Sequence, residues 1–235
     1  MNTAANDVEL ISSKLFGYIS MNQISVGGTL DFYISEARKP DVLVQQYHQL
    51  VGTPQLPPQW MLGWNQAKLG YKTLDDVKAV IDNYAKDKIP LEAIWNDISY
   101  MENVKDFTID PTNYMGLGDF VANTMHAKNQ KYVPIVNAAI PYTPNDAMYT
   151  PYADGIKDKV FINEFSNKMP FVGQALAGEV VYPDWTQAKT QAYWEAQLTK
   201  FQSMVAFDAL WLSGNEAANF CNGPCTTEQT NPRSE

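Results

Sequence analysis

The chain has 235 residues, enough for one large domain or two small ones, and 45% of them are hydrophobic, as in ordinary folded proteins. Lys plus Arg number 17 and Asp plus Glu 26, giving a net charge of −9, which argues against a nucleic-acid partner. No stretch approaches the roughly 20 apolar residues of a membrane span, and no charged-then-apolar leader follows Met1.

The first 35 residues read as short strands. In "VGGTLDFYI" a Gly-Gly turn precedes alternating Leu30, Phe32 and Ile34. "DVLVQQYHQLVG" then carries Val42, Leu43, Tyr47 and Leu50 at helical spacing and stops at Gly52. The proline-rich "TPQLPPQW" is a natural boundary, dividing residues 1–52 from 53–235. Beyond it "WMLGWNQA" predicts a buried strand. "TLDDVKAVIDNYAKDK" predicts a helix burying Val77, Val80, Ile81 and Tyr84, with Thr73 as its cap and Asp75 and Asp76 at the positive end of its dipole.

The alternation continues. "PLEAIWND" is a strand. "GLGDFVANTMHAKN" is a helix with Leu117, Phe120, Val121 and Met125 inward, and "KYVPIVNAAI" is a strand. "TQAYWEAQLTKFQSM" is a helix with Tyr193, Trp194, Leu198 and Phe201 inward, and "AFDALWLS" is a strand. Apolar strands alternating with helices imply a parallel sheet covered on both faces. Each strand ends in polar residues: Asn65 and Gln66, Asn96 and Asp97, Asn137, then Ser213, Asn215 and Glu216. Polar C-terminal strand ends sharing one rim suit a (β/α) barrel. A doubly wound sheet is the rival, weakened by the absence of a Gly-x-Gly-x-x-Gly loop. Four barrel strands are legible where a closed barrel needs eight. The other half is therefore expected on a longer chain or from a partner.

The six Trp and 13 Tyr suit a core before they suit sugar stacking. The two cysteines, Cys221 and Cys225, stand in "CNGPC" and read as a local disulfide, implying an oxidising compartment; two free thiols are the alternative. A metal site needs about four ligands, and His48 and His126 are far off in sequence, so no metal is expected. Both histidines read as surface or packing residues.

Several segments resemble glycoside hydrolase family 31, the α-glucosidase family. "LPPQWMLGWNQAKLGY" resembles the entry to its catalytic barrel. "IPLEAIWNDISYMENVKDFTIDP" resembles its I-P-L-D-x-x-W-N-D-I-D-Y-M-x-x-x-x-D-F-T-x-D-P run. "KYVPIVNAAI" resembles K-Y-V-x-I-V-D-P-A-I, and "DALWLSGNEAANFCNGPC" resembles D-G-L-W-I-D-M-N-E-x-S-N-F-C-x-G-x-C. The matches run in order from about Gly28 to Cys225. The resemblance implies the last strands of an N-terminal β-sandwich followed by the first half of a (β/α)8 TIM-type barrel. It also implies retaining cleavage of terminal α-glucosidic bonds in oligosaccharides, with no cofactor. A secretory, lysosomal or extracellular location fits both the family and the Cys pair.

The departures fall on the pocket. The family's nucleophilic Asp is matched by Ser213, and the Met after it by Gly214. A hydroxyl must first give its proton to a base, and the carboxylate's charge is lost as well. Ser99 and Asn137 stand where the motifs carry Asp, Leu69 and Lys68 replace an aromatic and an Arg, and Leu176 stands where a Trp would stack. The substrate-binding set implied by the resemblance is Trp211, Ile135, Asp97, Ser99 and Asn137. Glu216 is a surrogate acid only if three residues along a strand end, roughly 10 Å, can be bridged. The family's acid/base Asp has no match here. The chain thus reads as a catalytically silent α-glucosidase-family member whose lineage ligand is an α-linked glucose oligosaccharide. A sugar-binding or scaffold pseudoenzyme and a truncated gene remnant are the rivals.

Overall fold

The computed structural model describes residues 7–13, 18–24, 33–165, 168–215 and 218–221. The chain divides into two compact units, Met1–Pro57 and Pro58–Glu235, and the division falls in the proline-rich connector. In the first unit, β1 (Asp7–Ser13) and β2 (Tyr18–Ile24) pair antiparallel, with Asp7 opposite Ile24. The strand expected over "VGGTLDFYI" lies largely outside the described residues; Tyr33 and Ile34, at its end, are not in a strand. The expected helix is α1 (Pro40–Val51), with Pro40 at its first turn and Gly52 at φ 88° ending it.

The second unit is built on four parallel strands, β3 (Asn65–Lys68), β4 (Ala93–Asn96), β5 (Lys131–Asn137) and β9 (Trp211–Ser213), lying side by side in chain order. A doubly wound sheet reverses its strand order at a switch point; this order never reverses, as in the first half of a (β/α)8 barrel. The register climbs in the same sense. β5 pairs with β4 through Lys131–Pro134 and with β9 through Ile135–Asn137, the stagger that tilted barrel strands require. β3 is an edge strand, half-buried to exposed, and the preceding Gln59–Leu62 is a 3-10 turn. The long buried strand expected from Trp60 to Ala67 is corrected on both counts, because an edge strand has a neighbour on one side only.

α2 (Leu74–Lys86) starts at a complete capping box: Thr73 Oγ1 accepts from Asp76 N at 3.1 Å, and Asp76 Oδ2 accepts from Thr73 N at 3.0 Å. Its Val77 and Ile81 are fully buried, each contributing roughly 1.5–3 kcal/mol of apolar burial. The next helical stretch opens with α3 (Leu117–Phe120), continues as one π-helical turn over Val121–Met125 and closes as a 3-10 turn at His126–Lys128. α5 (Ala188–Met204) packs inward with Tyr193 and Phe201, as expected, but also with Thr190 and Gln197, while Trp194 and Leu198 are half-buried. Gln197 is tolerated inside because its Nε2 donates to Asp154 Oδ2 at 3.0 Å.

Between β5 and β9 the chain builds an unexpected addition. β6 (Ile140–Pro141), β7 (Val172–Ala175) and β8 (Gly178–Val181) form a small antiparallel sheet in the order β6-β8-β7, and α4 (Thr150–Asp158) packs against α5. Aromatic rings fill the core, and four of their hydroxyls are spent on backbone. Tyr100 donates to the Ile135 carbonyl at 2.6 Å, Tyr114 to Tyr71 at 2.6 Å, Tyr149 to Asp106 at 3.1 Å and Tyr193 to Pro151 at 2.8 Å.

Candidate functional site

The four parallel strands end at Lys68, Asn96, Asn137 and Ser213, four polar residues on one rim. In a barrel this rim carries the site. Asn137 and Ser213 are register partners, so their backbones lie side by side. Both line a cavity of about 230 Å3, together with Asp106, Leu176, Gly214 and Phe220. Leu176 comes from the β7–β8 hairpin. The segment after β9 is tied to the same small sheet: Phe220 N donates to the Gln174 carbonyl at 3.0 Å, and Asn219 Oδ1 accepts from Gln174 N at 2.8 Å. The β6-β8-β7 sheet is thus one wall, and the ends of β5 and β9 are the other.

Asp106 was not singled out from the sequence. It is 1% exposed. Its Oδ1 accepts from Asn137 N at 2.7 Å and from Asn137 Nδ2 at 3.4 Å, while Oδ2 is buried with no partner. Burial pushes its pKa up to about 8, against the opposing pull of the Asn137 hydrogen bonds. The loop that carries it is strained. Asn103, Val104 and Phe107 all adopt left-handed φ, 51°, 61° and 62°, and for a β-branched residue such as Val104 this is an outlier. The signal in the sequence was the D-F-T motif itself; nothing in its spacing distinguished Asp106 from a surface acid.

Other expected site residues fall elsewhere. Asp97 caps the short turn Ile98–Tyr100, its Oδ1 accepting from Ile98 N at 2.7 Å, and Ser99 sits half-buried in that turn. Ile135 is buried in the core, where its carbonyl receives Tyr100. Trp211 packs against Trp95 with ring centroids 6.1 Å apart, and Trp95 Nε1 donates to Asn65 Oδ1 at 3.0 Å. Of the five substrate-binding candidates, only Asn137 lines the cavity; Ser213 joins it there. Glu216 lies outside the described residues, as does Cys225. Cys221 is held in a disulfide.

Neither histidine lines the cavity. His126 pairs with Asp208 at 2.9 Å near the N-terminal end of β5, and His48 lies in α1. Among the described residues no three His, Cys, Asp or Glu side chains gather into a metal site.

Residues 54–235 match the Glycosyl hydrolases family 31 TIM-barrel domain. The chain belongs to glycoside hydrolase family 31. It is 36% identical to an alpha-glucosidase of Hordeum vulgare over 93% of its own length and 25% of that relative's. It is 35% identical to the lysosomal alpha-glucosidase of Bos taurus over 95% of its length and 23% of that protein's, and 38% identical to alpha-xylosidase 1 of Arabidopsis thaliana over 86% and 22%. The family 31 alpha-glucosidase of Bacteroides thetaiotaomicron superposes with a TM-score of 0.74 at 22% identity, covering 95% of this chain and 36% of that one, a likeness of fold. Family 31 membership thus accounts for the parallel half-barrel, and the chain spans about a quarter of the length of the curated relatives it matches.

Proposed function

We propose that this chain recognises a terminal α-linked glucose of an oligosaccharide and does not hydrolyse it. The observation that carries the reading is Ser213, which lines the cavity at the end of β9, where the family motif places its nucleophilic Asp. Retaining cleavage uses two carboxyl groups about 5–5.5 Å apart, one of which attacks as an anion. A serine hydroxyl needs a base first. His126 is engaged with Asp208 near the N-terminal end of β5. Asp106, the carboxyl lining the cavity, is held mostly protonated at neutral pH and supplies little charge to an oxocarbenium-like transition state. The sugar class rests on the relatives, which include proteins named alpha-glucosidases and one named an alpha-xylosidase. At about 230 Å3 the cavity is smaller than the roughly 300–1,000 Å3 of sites for drug-sized ligands, which suits a single sugar ring.

A chromogenic α-glucoside tests the silence. The expected result is release no faster than in buffer. Turnover above background that disappears in Glu216→Gln would overturn it, as would a sugar bound covalently after treatment with a mechanism-based trap. Calorimetry with maltose tests recognition, and no heat at millimolar sugar removes that half of the reading.

A further inference from the structure

We propose that Asp106 is the hydrogen-bond donor of this cavity and that its Oδ2 meets a hydroxyl group of a neutral sugar. The inference rests on the recognition reading above and adds to it a residue and a proton. The geometry carries it. One carboxyl oxygen is fixed by the Asn137 backbone, and the other is buried and unpartnered, in a residue that lines a cavity. An unsatisfied buried polar atom destabilises the fold that holds it, and native structures leave few of them. A ligand hydroxyl in the cavity would satisfy this one. The loop strain at Asn103, Val104 and Phe107 is a second cost borne in presenting the same residue.

The surroundings decide which way the hydrogen bond runs. The titratable groups facing Asp106 are the phenols of Tyr100, from the turn after β4, of Tyr149, before α4, and of Tyr193, from α5. All three are held protonated by burial, so none contributes charge at neutral pH. The neighbouring cation, Lys105, is turned away, with its Nζ 2.9 Å from Asp146 Oδ2 and 5.6 Å from the Tyr149 ring centre. Asn137, where the family motif carries an Asp, is neutral and gives Oδ1 two N–H donors. With Oδ1 accepting and no cation at hand, the proton belongs on Oδ2. A protonated carboxyl has one O–H to donate, which matches an uncharged hydroxyl. A cationic ligand would instead draw that proton off.

The test is calorimetry of the full chain with methyl α-glucoside at about pH 6.5 and about pH 9.5. Raising the pH past Asp106's pKa of about 8 leaves about 3% of the protein competent, so the wild type should bind roughly 30-fold more weakly at the higher pH. Asp106→Asn keeps a donor at the same place without a titrating proton, and its affinity should be the same at both pH values. Asp106→Ala should bind roughly tenfold more weakly at the lower pH. For one monodeoxy glucoside that penalty should vanish, because the hydroxyl at the other end of the bond is missing. Binding that ignores pH, or an alanine penalty equal for every deoxy sugar, overturns the assignment of Asp106 while leaving sugar recognition standing. No binding at either pH overturns both. The wild-type series needs no variant to fold.

Discussion

Near the N-terminal end of β5, Asp208 is surrounded by donors: Tyr132 N at 2.9 Å, His126 Nε2 at 2.9 Å and Lys131 Nζ at 3.0 Å. At the other end of the same strand, Asp106 has the Asn137 N–H groups on one oxygen and nothing on the other. Burial raises the pKa of both. At Asp208 the Tyr132, His126 and Lys131 bonds outweigh it and hold the carboxyl below its usual range, whereas at Asp106 burial wins. The two ends of one strand therefore divide the labour, one end adding stability and the other giving it up where the cavity opens.

The pH dependence of unfolding should separate them. Asp106 has a folded pKa raised from 3.8 to about 8, so the native state keeps a proton that the unfolded chain releases. Its penalty is absent below about pH 4, grows as pH rises and levels off above about 8, reaching about 4 kcal/mol at neutral pH. Urea unfolding of wild type and Asp106→Asn across this range should show the variant gaining on the wild type with rising pH; parallel curves would erase the contrast. Asp208→Ala should lose about 1–3 kcal/mol at neutral pH, as three donors lose their acceptor. Its depressed pKa means that the wild-type advantage is present above about pH 4 and fades as acid protonates the carboxylate. The smallest change is Thr73→Ala. Breaking one side of the capping box should cost about 1 kcal/mol at neutral pH, a baseline for a purely local effect.

The order of strands and helices was legible because apolar runs and caps are local signals. The cap at Thr73 and the stop at Gly52 each depend on a few adjacent residues. On α5 the sequence pointed to Tyr193 and Phe201 but not to Gln197, which is polar, and only its distant partner Asp154 explains why it turns inward. The β6-β8-β7 sheet was missed because its strands are two to four residues long and β6 finds its partner β8 about 40 residues further along the chain. In the site, Ser213 and Asn137 stood out as departures from a family pattern. Asp106 did not, since it matches that pattern and its significance lies in an unpartnered carboxyl oxygen that no sequence displays.

The buried tyrosines carry a consequence of their own. Tyr100, Tyr132 and Tyr149 are held far above the ordinary phenol range by burial, and the hydroxyls of Tyr100 and Tyr149 are committed to main-chain carbonyls. None can ionise while the core stays closed. In strong alkali their phenolate absorbance would emerge in one step with the collapse of the fold, so that a colour change native to the chain would mark the moment its interior gives way.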